Sequence, residues 1–373
     1  MIYLDSAATS LYKPESVQYA VLDAMNHMAS PGRGAHRAAM LAANCCYDCR
    51  EALARLFHVP EPEQVVLTFN ATHGLNIAIH SLVRRGTHVL ISGYEHNSVT
   101  RPLRAVGADV RIADTPLFSP EAFLQRIERE LPWAEVVICT HVSNAFGYIL
   151  PVEILAQMCR KRGIPLVIDA SQSAGILPID FQALGARFVA MPGHKGLMGP
   201  QGTGVLLCQN DAIPLLYGGS GSASAEQTMP VFLPDRLEAG THNVPGVAGL
   251  LASVNWILDR GCDSIRSAER KDLEQLAEEL ASVGGLEVFY TPDPTLQSSV
   301  LSVRPTGISC ETFADALEDA GIAVRTGLHC APTAHRTVGT LDTGTVRFSF
   351  SPFVTALQLE QTAEICKNIM KKT

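Results

Sequence analysis

The residues best suited to covalent chemistry lie in the run Pro192-Gly193-His194-Lys195-Gly196, which places one lysine beside a histidine in a glycine-rich turn after an apolar segment. A lysine that is to form an imine must hold a neutral amine near pH 7, which burial and nearby positive charge favour. It must also sit where a planar aldehyde can approach the backbone. Taken alone, the same turn is equally compatible with a solvated lysine. Upstream, Pro165-Leu166-Val167-Ile168-Asp169-Ala170-Ser171-Gln172 reads as a buried strand ending in an acid. A carboxylate at the mouth of a strand can salt-bridge a protonated pyridine nitrogen, and Gln172 can donate to an adjacent phenolic oxygen. Singly, Asp169 also reads as an ordinary helix cap; its pairing with Lys195 points to cofactor chemistry.

Such groups need a rigid frame. Six short apolar runs, at Val65–Leu67, Val89–Ile91, Val136–Ile138, Leu166–Ile168, Phe188–Ala190 and Gly204–Leu207, alternate with amphipathic stretches. This alternation predicts an α/β fold with a mostly parallel central sheet in the larger of two domains. The small-residue and proline-rich stretch Gly218 to Pro234 reads as an ordered but mobile connection near the site. Helices are predicted over Pro245 to Arg260 and Arg266 to Ala281, leading into a smaller α+β domain. The division expected is a large domain over 15–256 and a small one formed by 1–14 with 257–373.

The chain has 373 residues, 47% of them hydrophobic and 18% charged, which fits a folded enzyme and not a disordered chain. Its formal net charge of −8 argues against a general nucleic-acid or anionic-membrane binder. No apolar run approaches the roughly 18 residues needed to cross a bilayer, and Met1–Asp5 lacks a basic stretch leading into an apolar core. A cytoplasmic location is the expectation. Ten scattered cysteines do not form a secreted disulfide framework. Cys45, Cys46 and Cys49, with His36 upstream, fall in a helical stretch with no second CxxC pair, so helix packing and not a metal site is expected. Cys139, Cys159, Cys208, Cys262, Cys310 and Cys366 read as small buried hydrophobes.

The ordered motifs Tyr3-Leu4-Asp5-Ser6-Ala7-Ala8-Thr9, Glu95-His96-Asn97, His141-Val142-Ser143-Asn144, the Asp169 and Lys195 segments, Arg236-Leu237-Glu238-Ala239-Gly240-Thr241 and Arg325-Thr326-Gly327-Leu328-His329-Cys330-Ala331 run nearly end to end. Through them the chain resembles the cysteine desulfurase and selenocysteine lyase family, fold-type I pyridoxal-phosphate enzymes of the class V aminotransferase group. The short Cys330 loop and the lack of an SSGSAC-like motif bring it nearer the SufS-like members.

The resemblance implies pyridoxal 5'-phosphate bound through Lys195, with Asp169, Gln172 and His194 around it and Thr72 and His73 at the phosphate. From the residues alone, Asn70–Asn76 is a helix start whose amides could hold a phosphate or simply be capped. The resemblance further implies that His96 stacks on the ring and exchanges protons with substrate, and that Asn144 contacts cofactor or substrate carboxylate. Arg347, with Arg325 nearby, is implied as the carboxylate grip, a task suited to a planar guanidinium. Thr241 matches a residue that reaches the partner subunit's phosphate, which implies a homodimer. Cys330 is implied as the thiolate that takes sulfur as a persulfide for an acceptor protein, as in iron–sulfur cluster assembly. The expected reaction converts L-cysteine to L-alanine. Selenocysteine lyase, another class V reaction that dispenses with Cys330, and a non-catalytic sulfur-carrier or scaffold role are the alternatives. Two departures stand out: Pro192 replaces a hydroxyl residue near the phosphate, and Ser6 replaces an asparagine.

Overall fold

The computed structural model describes residues 1–32, 34–209 and 211–372. Its strands in chain order are Ile2–Tyr3 (β1), Val65–Thr68 (β2), His88–Ser92 (β3), Asp109–Ala113 (β4), Val136–Thr140 (β5), Leu166–Asp169 (β6), Phe188–Pro192 (β7), Gly204–Cys208 (β8), Leu286–Phe289 (β9), Val300–Pro305 (β10), Ile322–Ala323 (β11), Arg325–Gly327 (β12) and Thr345–Ser349 (β13). Seven build the central sheet in the order β2-β8-β7-β6-β5-β3-β4. Strands β4, β3, β5, β6 and β7 run parallel, and β8 alone opposes its neighbours. The chain therefore has an α/β fold with a mostly parallel sheet.

All six apolar runs are strands of this sheet. Strands β5 to β8 are buried along their whole length, which is why they read as unbroken apolar runs. Strand β4 escaped the sequence reading because it is the edge: in Asp109-Val110-Arg111-Ile112-Ala113 exposed polar residues alternate with half-buried ones, and only Ala113 is fully buried. One apolar cluster, including Leu75, Ile91 and Val167, covers one face of the sheet, and a second, including Phe57, Leu90 and Ile168, the other. A third unites Leu4 with Leu273, Phe313, Phe348 and Cys366 around the four-stranded sheet β12-β13-β10-β9.

The helix expected from Pro245 begins at Val244, where the Asn243 side chain caps Gly246 N. The next helix starts at Cys262, four residues before the predicted Arg266, because Gly261 at φ +81° turns the chain between the two. Between Cys208 and Val244 the described residues form no helix or strand, and none of them lines the chamber described below.

Cys45, Cys46 and Cys49 lie on the inner face of the helix Arg37–Phe57. Burial raises the Cys45 and Cys46 thiols to about 11 and 12 and the Cys49 thiol further. His36 caps that helix, accepting from Ala39 N. Of the other cysteines expected to be buried, Cys139, Cys159, Cys208, Cys310 and Cys366 are, whereas Cys262, at a helix start, is only half-buried.

Candidate active site

Because β3, β5, β6 and β7 are parallel, their carboxyl ends share one edge of the sheet, and the residues that follow them converge there. This is where open α/β sheets place ligands. His96 follows β3, Asn144 follows β5, Asp169 ends β6, and His194 and Lys195 follow β7. Together with Asn70, Ala71, Thr72, Ser98, Ser171, Gln172 and Pro192 they border a chamber of about 180 Å³. The segments bearing Asp169 and Lys195 abut backbone to backbone: a Cβ on Gly175 would meet Gly196 O at 2.5 Å, and one on Gly196 would meet Ala174 O at 2.5 Å. Only glycine permits that approach.

Lys195 is half-buried, and desolvation, followed by the Arg347 charge, lowers its amine to about 8. Roughly a tenth of it is then neutral at pH 7, against a few ten-thousandths for an ordinary lysine. Asp169 Oδ1 accepts from Ser171 N at 2.9 Å and from Ser171 Oγ. The carboxylate thus does cap its own turn, while no described residue partners Oδ2. Beneath it, Glu95 is fully buried. It accepts from Thr140 N at 2.8 Å, and burial raises its carboxyl to about 8, so it stays protonated at neutral pH.

His96 is the N-cap of the helix Asn97–Val106, with Nδ1 accepting from Ser98 N at 3.0 Å. Burial holds its ring near 4, hence neutral. With Nδ1 occupied as an acceptor, the proton sits on Nε2, so the ring has a donor and no vacant base to offer the chamber. A hydroxyl pair, Thr72 Oγ1 to Ser98 Oγ at 2.8 Å, ties the start of this helix to that of Ala71–Leu82. Two helix N-termini therefore face the chamber, an arrangement favourable to an anion.

A strap formed by residues 3–10 closes the other side. Ser10 N donates to His194 O at 2.8 Å, and His194 Nδ1 meets Thr9 Oγ1 at 3.1 Å. Gln172 Nε2 donates to Ala7 O at 3.0 Å, so one of the N–H groups expected to serve a phenolic oxygen holds the strap. Ser6 Oγ is buried without a partner.

The Cys330 loop is bracketed from two directions. Asn97 N donates to Cys330 O at 2.8 Å, and Asn144 Nδ2 donates to His329 O at 2.7 Å. His329 and Cys330 both adopt left-handed backbone, at φ +50° and +56°, which costs a non-glycine residue energy that these clamps offset. Asn144 is thereby a bracket and not only a chamber wall: its own carbonyl accepts from Arg347 Nη1 at 3.0 Å. Cys330 is the exposed cysteine of the chain.

Residues 2–361 match the family model described as Aminotransferase class-V. The chain belongs to the class-V aminotransferase family. It is 31% identical over 383 residues to a probable cysteine desulfurase of Methanothermobacter thermautotrophicus, covering 99% of this chain and 94% of the relative. It is 32% identical to a probable cysteine desulfurase of Xylella fastidiosa, with 97% and 89% covered. Among solved structures it is similar to an apo cysteine desulfurase from Thermococcus onnurineus, with a TM-score of 0.91, 29% identity and coverage of 100% and 95%. A cysteine desulfurase from Escherichia coli bearing an S-sulfonic acid gives a TM-score of 0.87 at 28% identity, with 99% and 94% covered.

Five predicted site residues of this class-V chain, His73, Thr241, Arg325, Cys330 and Arg347, lie outside the chamber wall. His73 stacks on Phe69 with ring centroids 4.7 Å apart, and its backbone N–H is taken by Asn70 Oδ1 at 2.9 Å. Thr241 is exposed. Its segment is anchored by Glu238, which receives Arg50 through two hydrogen bonds of 2.7 Å and Leu67 N at 2.6 Å. Asp5, Asn97, Ser98 and Asn70 support the site without having been given roles from the sequence. Of these only Asn70, at a helix start, carried a local signal, the others being ordinary polar residues until the fold assembles them.

Proposed function

We propose that this chain is a pyridoxal-phosphate-dependent cysteine desulfurase that converts L-cysteine to L-alanine and retains the sulfur as a persulfide on Cys330. The observation that carries this reading is the exposed thiol of Cys330 on a loop clamped to Asn97 and Asn144, beside a chamber that holds a half-buried lysine with its amine near 8.

The chamber fits the cofactor. The Oδ2 atom of Asp169 has no partner among the described residues, and the Ala71 and Thr72 amides lie in a first helical turn, where N–H groups lack intrahelical acceptors. When bound, pyridoxal phosphate supplies an electron sink at the substrate α-carbon. Asp169 holds the pyridinium charge, the two helix N-termini and Thr72 hold the phosphate, and Lys195 supplies the amine that binds the aldehyde and later moves the α-proton. Arg347 grips the substrate carboxylate, with Arg325 beside it, and His96 Nε2–H donates into the chamber. The Cys330 thiolate attacks the substrate sulfur: an S–S bond forms, the Cβ–S bond breaks, and its electron pair stays with the carbon skeleton. That skeleton takes up a proton and leaves as alanine.

In this reading residues 15–256 carry the cofactor, while 1–14 with 257–373 bring Arg325, Cys330 and Arg347. A second copy of the chain completes the site. Tyr19, Leu22 and Met25, 69%, 59% and 67% exposed and spaced by three on the helix Glu15–His27, form an apolar face of the kind a homodimer covers. Location in the cytoplasm and delivery of the persulfide to an acceptor protein belong to the same proposal.

Purified protein given L-cysteine should release alanine while the Cys330 peptide gains the mass of one sulfur. Pyruvate or another keto acid in place of alanine would exclude the desulfurase reading. The holoprotein should sediment as a dimer, and a monomer retaining its full cofactor would refute the shared site. Since the Lys195 amine titrates near 8, the rate at which apoprotein captures added pyridoxal phosphate on Lys195 should rise with pH through that value. A rate that is flat from pH 6 to 9 would contradict the lowered amine.

A further inference from the structure

Arg325 on β12 and Arg347 on β13 are direct cross-strand partners. Like charges placed opposite one another in an antiparallel pair destabilise a sheet unless an anion lies between them. Here Asp5 supplies that anion. Its Oδ1 lies 2.8 Å from Arg347 Nη2 and its Oδ2 lies 3.5 Å from Arg325 Nε. Arg347 is 2% exposed, takes no other counter-ion among the described residues, and keeps its Nε buried without a hydrogen-bond partner.

Asp5 is delivered by the strap beside β13. Ser349 N donates to Leu4 O at 2.8 Å, Ala7 N donates to Ser349 Oγ at 2.9 Å, and Tyr3 OH donates to Thr9 O at 2.8 Å. A carboxylate bridging two guanidinium groups has the chemistry of the α-carboxylate of an amino-acid substrate.

Resting on the reading of Arg347 as the carboxylate grip, we propose that Asp5 is an internal competitor for that grip: a tethered carboxylate that satisfies the paired arginines in the free enzyme and must yield them when substrate binds. Asp5 thereby sets substrate affinity, holding the buried Arg347 charge and the exposed Arg325 charge in balance at the expense of tight carboxylate binding. Removing its charge leaves Arg347 without a counter-ion until a ligand carboxylate arrives, so the ligand gains what the tether lost.

The test is a spectral titration of pyridoxal-phosphate-loaded protein with L-alanine and with L-alaninamide, which keeps the amine and lacks the carboxylate. Asp5→Asn should bind alanine at least about fivefold more tightly, equivalent to about 1 kcal/mol, with alaninamide unchanged within about twofold. Alanine affinity that is unchanged or weaker, or a parallel change in both ligands, overturns the competition. Arg347→Lys separates the two levels of the argument: it should erase the preference for alanine over alaninamide, and if that preference persists, the carboxylate grip itself is wrong. Should Asp5→Asn not fold, crystals of the parent holoprotein with bound L-alanine decide. Asp5 is expected beyond about 4 Å from Arg347 Nη2, outside ion-pair range, and an Asp5 still paired with Arg347 while alanine's carboxylate occupies the guanidinium overturns the proposal.

Discussion

Cys330→Ala should lower alanine release from L-cysteine by at least about a hundredfold, on the order of 3 kcal/mol of transition-state stabilisation, while L-cysteine still perturbs the cofactor spectrum. Binding draws on the amine and carboxylate contacts of Lys195 and Arg347, which the substitution leaves in place. Sulfur removal needs a nucleophile, and among the ten cysteines Cys330 alone is exposed. Burial lifts the others it acts on, Cys159 and Cys208 to about 12, for example, so no neighbouring thiol can substitute. The variant should show no added sulfur in peptide mass spectra. Selenocysteine, whose selenium leaves more readily, should retain more of its turnover. Alanine release from cysteine at the parent rate would show that the thiol is not the sulfur acceptor.

The largest expected loss of stability follows from Glu238→Gln. Burial pushes the Glu238 carboxyl up, but Arg50 outweighs it, and His242 adds to that pull, bringing the group down to about 2. Arg50 and Glu238 are both nearly inaccessible, and Leu67 N donates to the same carboxylate. Substitution by glutamine leaves a buried guanidinium without its counter-ion, which costs about 3–5 kcal/mol. Urea unfolding at pH 7 should report that loss, and one below about 1 kcal/mol would show that the pair contributes little. Replacing Arg50 as well, as Arg50→Met with Glu238→Gln, should recover much of the loss because no unpaired charge remains. The pH dependence has a definite sign. A carboxyl depressed in the folded state contributes its stability fully above its unfolded value of about 4.3, and loses it as pH falls through the folded value near 2. The parent should therefore lose stability between pH 4 and 2 more steeply than Glu238→Gln.

The sheet and its chemistry were legible in the sequence to the extent that local composition carries them. Runs such as Val136–Ile138 and Phe188–Ala190 are apolar because both faces of a central parallel strand are covered, and that leaves an unmistakable signature. The edge strand β4 had no such signature, since solvent on one side mixes polar residues into it. Asp169 and Lys195 were recognisable as strand-end residues, and parallel pairing makes strand ends neighbours. His96 was recognisable as a site residue, but its proton placement was not, because that depends on the Ser98 N–H which its own helix turn presents to Nδ1.

By itself the sequence determined the class of the chain and the parallel α/β frame, and named Asp169, Lys195 and Cys330 as candidates, through residue type, spacing and motifs along the chain. Only the tertiary structure decided how the remote segments act on one another. Asn144, 185 and 203 positions from its partners, brackets both the Cys330 loop and Arg347. Asp5, more than three hundred positions from Arg347, lies between two arginines that β12 and β13 set face to face. Charge pairing and hydrogen bonding act over a few ångströms of space irrespective of chain separation. Contacts of that kind have no local pattern from which to be read.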